Sequence, residues 1–254
     1  MLNFIFMLLI IMTSSVSFAD INIYGPGGPN TALSPAIKLF TEKTGIQVHL
    51  VYGPEAKWIE QAKQNADFIY GASEQSALSI INNLPNRFNY KDSVSLYYHD
   101  TIILVQKGNP KNIKSLQSLA GKNINVVVVE GAGKSNTSGT AVWEDLIGRM
   151  KDINILQSIK SNIVFYAPNS GSAVKMFTDP DAKIDAFITW TDWAVSFPEI
   201  GDAIKISPDL VISRSFNIVP SKNITEEAKV FLHFLQNDEP TNKIFQSYGW
   251  YKKH

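Results

Sequence analysis

The stretch Val126-Val-Val-Val-Glu-Gly-Ala-Gly-Lys-Ser-Asn-Thr-Ser-Gly-Thr140 concentrates residue types that can hold an anion. It reads as a strand, then a Gly-, Ser- and Thr-rich loop, then a helix. A loop that opens a helix turns backbone N–H groups outward, and the helix dipole adds partial positive charge there. Lys134 supplies a full charge, and Ser135, Asn136, Thr137, Ser138 and Thr140 supply short donors around Gly139. No acid lies between Gly131 and Thr140. Gly133-Lys134-Ser135 is similar to the end of a phosphate-binding P-loop. That pattern needs a glycine where Val128 stands, so nucleotide hydrolysis is not expected. Two readings of the loop stay open: an anion site, or an N-cap cluster using Thr137 or Ser138. One cap needs one such residue, whereas four of the five residues Ser135 to Gly139 can donate from side chains, which favours the anion.

Three further turns share this grammar. Tyr24-Gly25-Pro26-Gly27-Gly28-Pro29 has three glycines where a backbone could approach a ligand, or a plain strand–helix turn. Ser73 and Gln75 follow a predicted strand and open a helix, with capping by Ser73 as the alternative. Ser170, Gly171 and Ser172 stand in the same position after another predicted strand. All four turns fall at the carboxyl ends of strands expected to be parallel, where open α/β sheets bind ligands. Lys57 could reach the same place or be solvated. Trp190-Thr191-Asp192-Trp193 ends a predicted strand: Thr191 or Asp192 could face the site, with the tryptophans as core. Arg214, in a β-like stretch, could grip a carboxylate or phosphate bidentately or form an ordinary salt bridge.

Enzyme constellations are weak. His49, His99, His233 and His254 are scattered without an H-E-x-x-H pair, and G-x-S-x-G is absent. Asp179-Pro180-Asp181 lacks the glycine and terminal Glu of a calcium loop. No catalytic residue, metal ligand or cofactor is expected. The 254 residues carry 23 Lys+Arg against 23 Asp+Glu, a balance that argues against nucleic acid as a partner. With no Cys, disulfides, thiolate metal sites and a lipoprotein anchor are excluded.

These residues need a scaffold. Strands at Ile21–Tyr24, Ile46–Tyr52 and Asp67–Tyr70 alternate with helices around Leu33–Phe40, from Pro54, and over Ser73–Ile81. Pro35 is placed in the first turn of the first helix, and Gly45 closes it. This βαβαβα order implies a parallel sheet with helices on its faces. A second series runs through Ile124–Val129, Ala141–Met150, Ile163–Ala167, a helix from Ser172, and Asp185–Trp190. The extended stretches Thr101–Lys107 and Leu210–Val219 read as crossings between two lobes. Helices at Glu226–Gln236 and Thr241–Tyr248 return to the first. The expected division is a first lobe of residues 20–103 and 216–254 and a second of residues 104–215, with a small-molecule cleft between them.

Met1 to Ala19 is expected to be removed. The apolar run Phe4 to Met12 is far shorter than the roughly 20 residues that span a bilayer. It fits the apolar segment of a signal peptide, and Ser17 and Ala19 are the small residues of a cleavage site. The cut is placed between Ala19 and Asp20. A basic residue before the run, usual in such leaders, is missing.

The runs YGPGGPN, VYGPEAKWIEQAKQNADFIYGASEQSAL, ILVQKGNP, VVVVEGAGKSNTSGTAVWEDLIGRM, NIVFYAPNSGSA, DAFITWTDW and SFNIV together resemble one family. It is the AcfC-like accessory colonization factors and major antigenic surface peptides of enteric bacteria, similar in turn to sulfate- and molybdate-binding proteins. The resemblance covers nearly the whole chain after the leader. It implies an α/β, two-lobed type II periplasmic binding fold, each lobe a mostly parallel sheet with helices on both faces, and a hinge of two crossing strands. It implies a periplasmic protein that captures a small anion, such as phosphoglycerate, citrate or sulfate. An ABC transporter would be its membrane partner, with a homodimer and adhesion to a host-cell surface as further implications. The alternative role is a surface adhesin or antigen. Motifs match at Gly25, Gly27, Gly28, Ser73, Gln75, Lys134 to Thr140, Ser170 to Ser172 and, more loosely, Arg214. The resemblance implies a small polar residue where this chain has Lys57.

Overall fold

The computed structural model describes residues 19–131 and 141–252. The expected leader, apart from Ala19, and the loop residues Lys134 to Thr140 therefore lie outside the described residues. The chain runs β1 (Ile21–Gly25), α1 (Asn30–Thr44), β2 (Val48–Tyr52), α2 (Ile59–Asn65), β3 (Phe68–Gly71), α3 (Glu74–Asn82) and β4 (Val94–Val105). It continues through β5 (Val126–Val129), α4 (Val142–Arg149), α5 (Ile153–Asn162), β6 (Ile163–Ala167), α6 (Ser170–Thr178), β7 (Ala186–Trp190) and α7 (Thr191–Ser196). The last elements are β8 (Asp202–Lys205), β9 (Ser213–Pro220), α8 (Glu226–Asn237) and α9 (Glu239–Ser247).

The strands lie in the order β2-β1-β3-β9-β4-β7-β5-β6, with β8 on β4. The β1–β2, β1–β3, β5–β6 and β5–β7 pairs are parallel, as the alternating βα order requires. β9 and β4 join the two parallel groups. The first half of β4 pairs antiparallel with β9, and its second half with β7 and β8. β4 is thus longer than the expected crossing: Thr101–Val105 is only its second half, and pairing with β9 begins at Val94.

Period-two burial divides each sheet group into two faces. In the first group Ile21, Ile23, Phe68, Tyr70, Phe216 and Ile218 pack with α1, α8 and α9, whereas Tyr24, Ile69 and Val219 pack with α2 and α3. In the second, Ile103, Val126, Val128, Ile188 and Trp190 face α4 and α5. Ile102, Leu104, Val127, Val129 and Phe187 face α6. Phe40 of α1 meets Phe231 and Phe234 of α8 edge-on at 4.9 and 5.2 Å. Phe40 and Phe231, both fully buried, each contribute roughly 1.5–3 kcal/mol.

Several local readings are corrected. α1 starts at Asn30, led by Pro29 at φ −65°, so Pro35 sits inside the helix rather than in its first turn. Gly45 ends it at φ +76°, the left-handed cap that only glycine adopts freely. Pro54 opens a short 3-10 turn, Glu55–Lys57, and the second helix begins only at Ile59. Thr191 to Ser196 form a helix that starts as β7 ends, so Asp192 is helical. Among the described residues no helix is long and apolar enough to cross a membrane.

Candidate functional site

A cavity of about 330 Å³ opens where the parallel strands end. Each wall is a strand-to-helix junction. Pro26, Gly27 and Gly28 follow β1; Tyr52, Gly53, Pro54 and Lys57 follow or end β2; Ala72 follows β3. Asn169, Ser170 and Gly171 come from the start of α6, and Trp190, Asp192 and Trp193 from the β7–α7 junction. His99 of β4 completes the lining.

The turns are held by their own backbones. The Gly53 N–H donates to the Gly25 carbonyl at 3.0 Å, fixing the second turn to the first. The Trp58 indole N–H donates to the Gly53 carbonyl at 3.1 Å. The Tyr70 hydroxyl donates to the Pro26 carbonyl at 2.8 Å. Burial, with a smaller push from Tyr52, holds the Tyr70 phenol well above its ordinary range, so it stays a donor. At α6 the Asn169 side chain accepts from the Ser172 N–H at 2.9 Å, a standard N-cap.

The predicted residues separate into groups. Gly27, Gly28, Ser170 and Gly171 line the cavity. Tyr24 does not: its ring is buried between the sheet and α2, and its hydroxyl donates to Asn65 Oδ1 at 2.8 Å. Gly25 lies behind the wall, where a side chain would stand 2.6 Å from the Tyr70 ring. Ser73 is buried and caps α3, its hydroxyl accepting from the Ser76 N–H at 3.1 Å. Ser172 gives its N–H to Asn169 and is absent from the lining. Gln75 and Arg214 line a second cavity of about 320 Å³, with Glu74, Tyr98, Ser213 and Ser215. There the Arg214 guanidinium lies 3.4 Å from an Asp145 carboxylate oxygen. Lys134, Ser135, Asn136, Thr137, Ser138, Gly139 and Thr140 lie outside the described residues.

Sequence reasoning did not single out Tyr52, Asn169, His99 or Ala72. His99 and Asp192 are both buried, with His99 Nδ1 2.9 Å from Asp192 Oδ1 and His99 Nε2 3.2 Å from the Ala72 carbonyl oxygen. The imidazole stacks on Trp190 at 4.3 Å and on Trp250 at 4.1 Å. Trp190 is therefore both core and cavity wall. The lining joins backbone donors, one lysine among the described residues, and a largely aromatic and proline floor. That arrangement suits a small anion with an organic body. Among the described residues no three His, Asp or Glu side chains come together as a metal site.

A family model of bacterial extracellular solute-binding proteins matches residues 21–251. A structure of PEB3 bound to L-phospholactate is 48% identical, with TM-score 0.87 over 92% of this chain and 100% of that one. Peb3 from Campylobacter jejuni is 47% identical, TM-score 0.86, with the same coverage. A sulfate-binding protein from Mycobacterium tuberculosis shares 17% identity at TM-score 0.73, over 92% of this chain and 86% of that one. A periplasmic molybdate-binding protein from Azotobacter vinelandii shares 13% at TM-score 0.69, over 92% and 100%. The last two show likeness of fold alone, the type II periplasmic binding fold. No curated protein matches the chain significantly.

Proposed function

The chain belongs to the bacterial extracellular solute-binding protein family, and from that premise we propose that it captures a small organic anion in the cavity at the strand ends. The observation that carries this reading is the convergence of Gly27, Gly28, Ser170, Gly171 and Lys57 on one cavity. Glycine turns and the N-terminus of α6 offer backbone N–H groups, and Lys57 supplies a full charge. The loop Lys134 to Thr140 is assigned to the same ligand from its sequence. Trp190, Trp193 and Pro54 would cover the carbon skeleton.

The ligand class is a phosphate ester or carboxylate the size of L-phospholactate, phosphoglycerate or citrate. Sulfate is the smaller competitor. No bond is made or broken. Capture closes the halves about β4 and β9, along the division at 103/104 and 215/216, and the loaded protein hands its cargo to an ABC-type membrane transporter. Export follows cleavage between Ala19 and Asp20.

Thermal denaturation of the mature protein with each candidate anion tests this reading. A ligand at roughly 100 times its dissociation constant adds about 2.7 kcal/mol of stability. A melting temperature unmoved by L-phospholactate, phosphoglycerate, citrate and sulfate alike would end the proposal.

A further inference from the structure

An anion cavity lined by a carboxylate needs an explanation, and Asp192 is that carboxylate. Its Oδ2 lies 3.4 Å from where a side chain on Gly28 would begin, beside the turn assigned to the ligand. Its other oxygen meets His99 Nδ1. On the far side of the imidazole, Nε2 faces the Ala72 carbonyl oxygen, which can only accept. An ionised carboxylate also only accepts. Both bonds form together when both ring nitrogens carry hydrogen. The imidazole lies between the Trp190 and Trp250 faces, nearly parallel to each, at 9° and 14°. Indole faces attract a cation.

We propose that His99 holds both ring protons and, with Asp192, forms a neutral ion pair that lets this carboxylate line an anion site. The inference rests on the anion-binding reading of the cavity. His99 is then the positioning residue of the floor, since it fixes Asp192 and Trp190 and cancels the charge of the first. Without that imidazole, Asp192 would face the bound anion uncompensated. The other ionisable groups near the ring are Lys57 and Tyr52 across the cavity, and Arg214, its register partner on β9. Among the described residues no second carboxylate lines this cavity.

Nitrogen-15 NMR of the ligand-free mature protein reads the ring directly, with H99Q identifying the signals. Two protonated ring nitrogens at neutral pH are expected, and a neutral tautomer overturns the proposal. Binding of L-phospholactate then supplies a double-mutant cycle. H99Q should bind roughly tenfold more weakly or worse, because it leaves a buried carboxylate unpaired beside the anion. D192N should bind at least as tightly as the native chain, and H99Q/D192N should return to within about threefold of D192N. A double variant as weak as H99Q overturns the charge-cancelling role. If the native chain ignores L-phospholactate and every other anion, the functional reading fails, while the NMR signals still decide the state of His99.

Discussion

Thr191 closes both backbone groups of Asp100. Its hydroxyl donates to the Asp100 carbonyl at 2.8 Å and accepts from the Asp100 N–H at 3.0 Å. One side chain thus ties the first residue of α7 to the middle of β4, where that strand changes partner from β9 to β7. Asp192 and Trp193 of the cavity follow directly in sequence.

Thr191→Val keeps the shape and removes both bonds. Leaving a half-buried N–H and carbonyl without this partner should lower stability by about 1–3 kcal/mol. Anion affinity should fall as well, because α7 loses its anchor. Urea denaturation and calorimetric titration of the same variant check the two effects. An unchanged unfolding midpoint would mean that α7 is held by packing alone.

The glycines of the first turn should separate by role. A methyl on Gly25 would lie 2.6 Å from the ring of Tyr70, which is fully buried and fixed through its hydroxyl. Gly25→Ala should therefore destabilise by about 1–3 kcal/mol. A methyl on Gly27 meets nothing within 4 Å and projects beside the cavity. Gly27→Ala should leave stability within about 0.5 kcal/mol of native. It should weaken the ligand, whose approach to the backbone it blocks. Equal losses of stability in the two variants would contradict this division.

Acid should act on the junction between α8 and α9. Burial pushes the Asp238 carboxyl up, but Lys43, together with the Thr241 hydroxyl and N–H, outweighs it and sets the group below its ordinary value. A carboxyl lowered by folding contributes stability that is fully present above the unfolded value, and loses it as pH falls through the folded one. Below about pH 4 the native chain should lose this increment, and Asp238→Asn should flatten that acid limb. Thermal melts from neutral pH downward give the comparison. Parallel acid limbs in the two proteins would remove Asp238 from the account.

What the sequence made legible was whatever local period or punctuation encodes. β1, α1, β3 and β6 were readable because apolar period-two runs and caps such as Gly45 are local signals. α5 was missed because Ile159 alone of its residues is fully buried, so its apolar stripe is thin. β8 is a four-residue edge strand with no run to see. At the site, glycine turns after strands pointed to Gly27, Gly28 and Ser170. They could not separate the lining Gly27 from Gly25, which packs on Tyr70, nor show that Tyr24 turns into the core. His99 was illegible for a different reason. Its partners Asp192 and Ala72 are 93 and 27 residues away, and only the place of β4 between β9 and β7 in the sheet brings them together.

Lys57 is the residue most able to set which anion is preferred. It is exposed, lines the cavity, and ends the short 3-10 turn after β2. A single mobile ammonium at a cavity mouth discriminates by charge more than by shape. Lys57→Ser should therefore weaken L-phospholactate by roughly three- to tenfold, equivalent to about 0.7–1.4 kcal/mol. It should weaken singly charged L-lactate much less. The native preference should also shrink with added salt faster than that of the variant, since an exposed charge is screened. Stability should be unchanged, because the side chain is solvated. Titrations of both anions at two salt concentrations decide the matter: equal loss for the two would show that Lys57 shapes the wall rather than reads the charge.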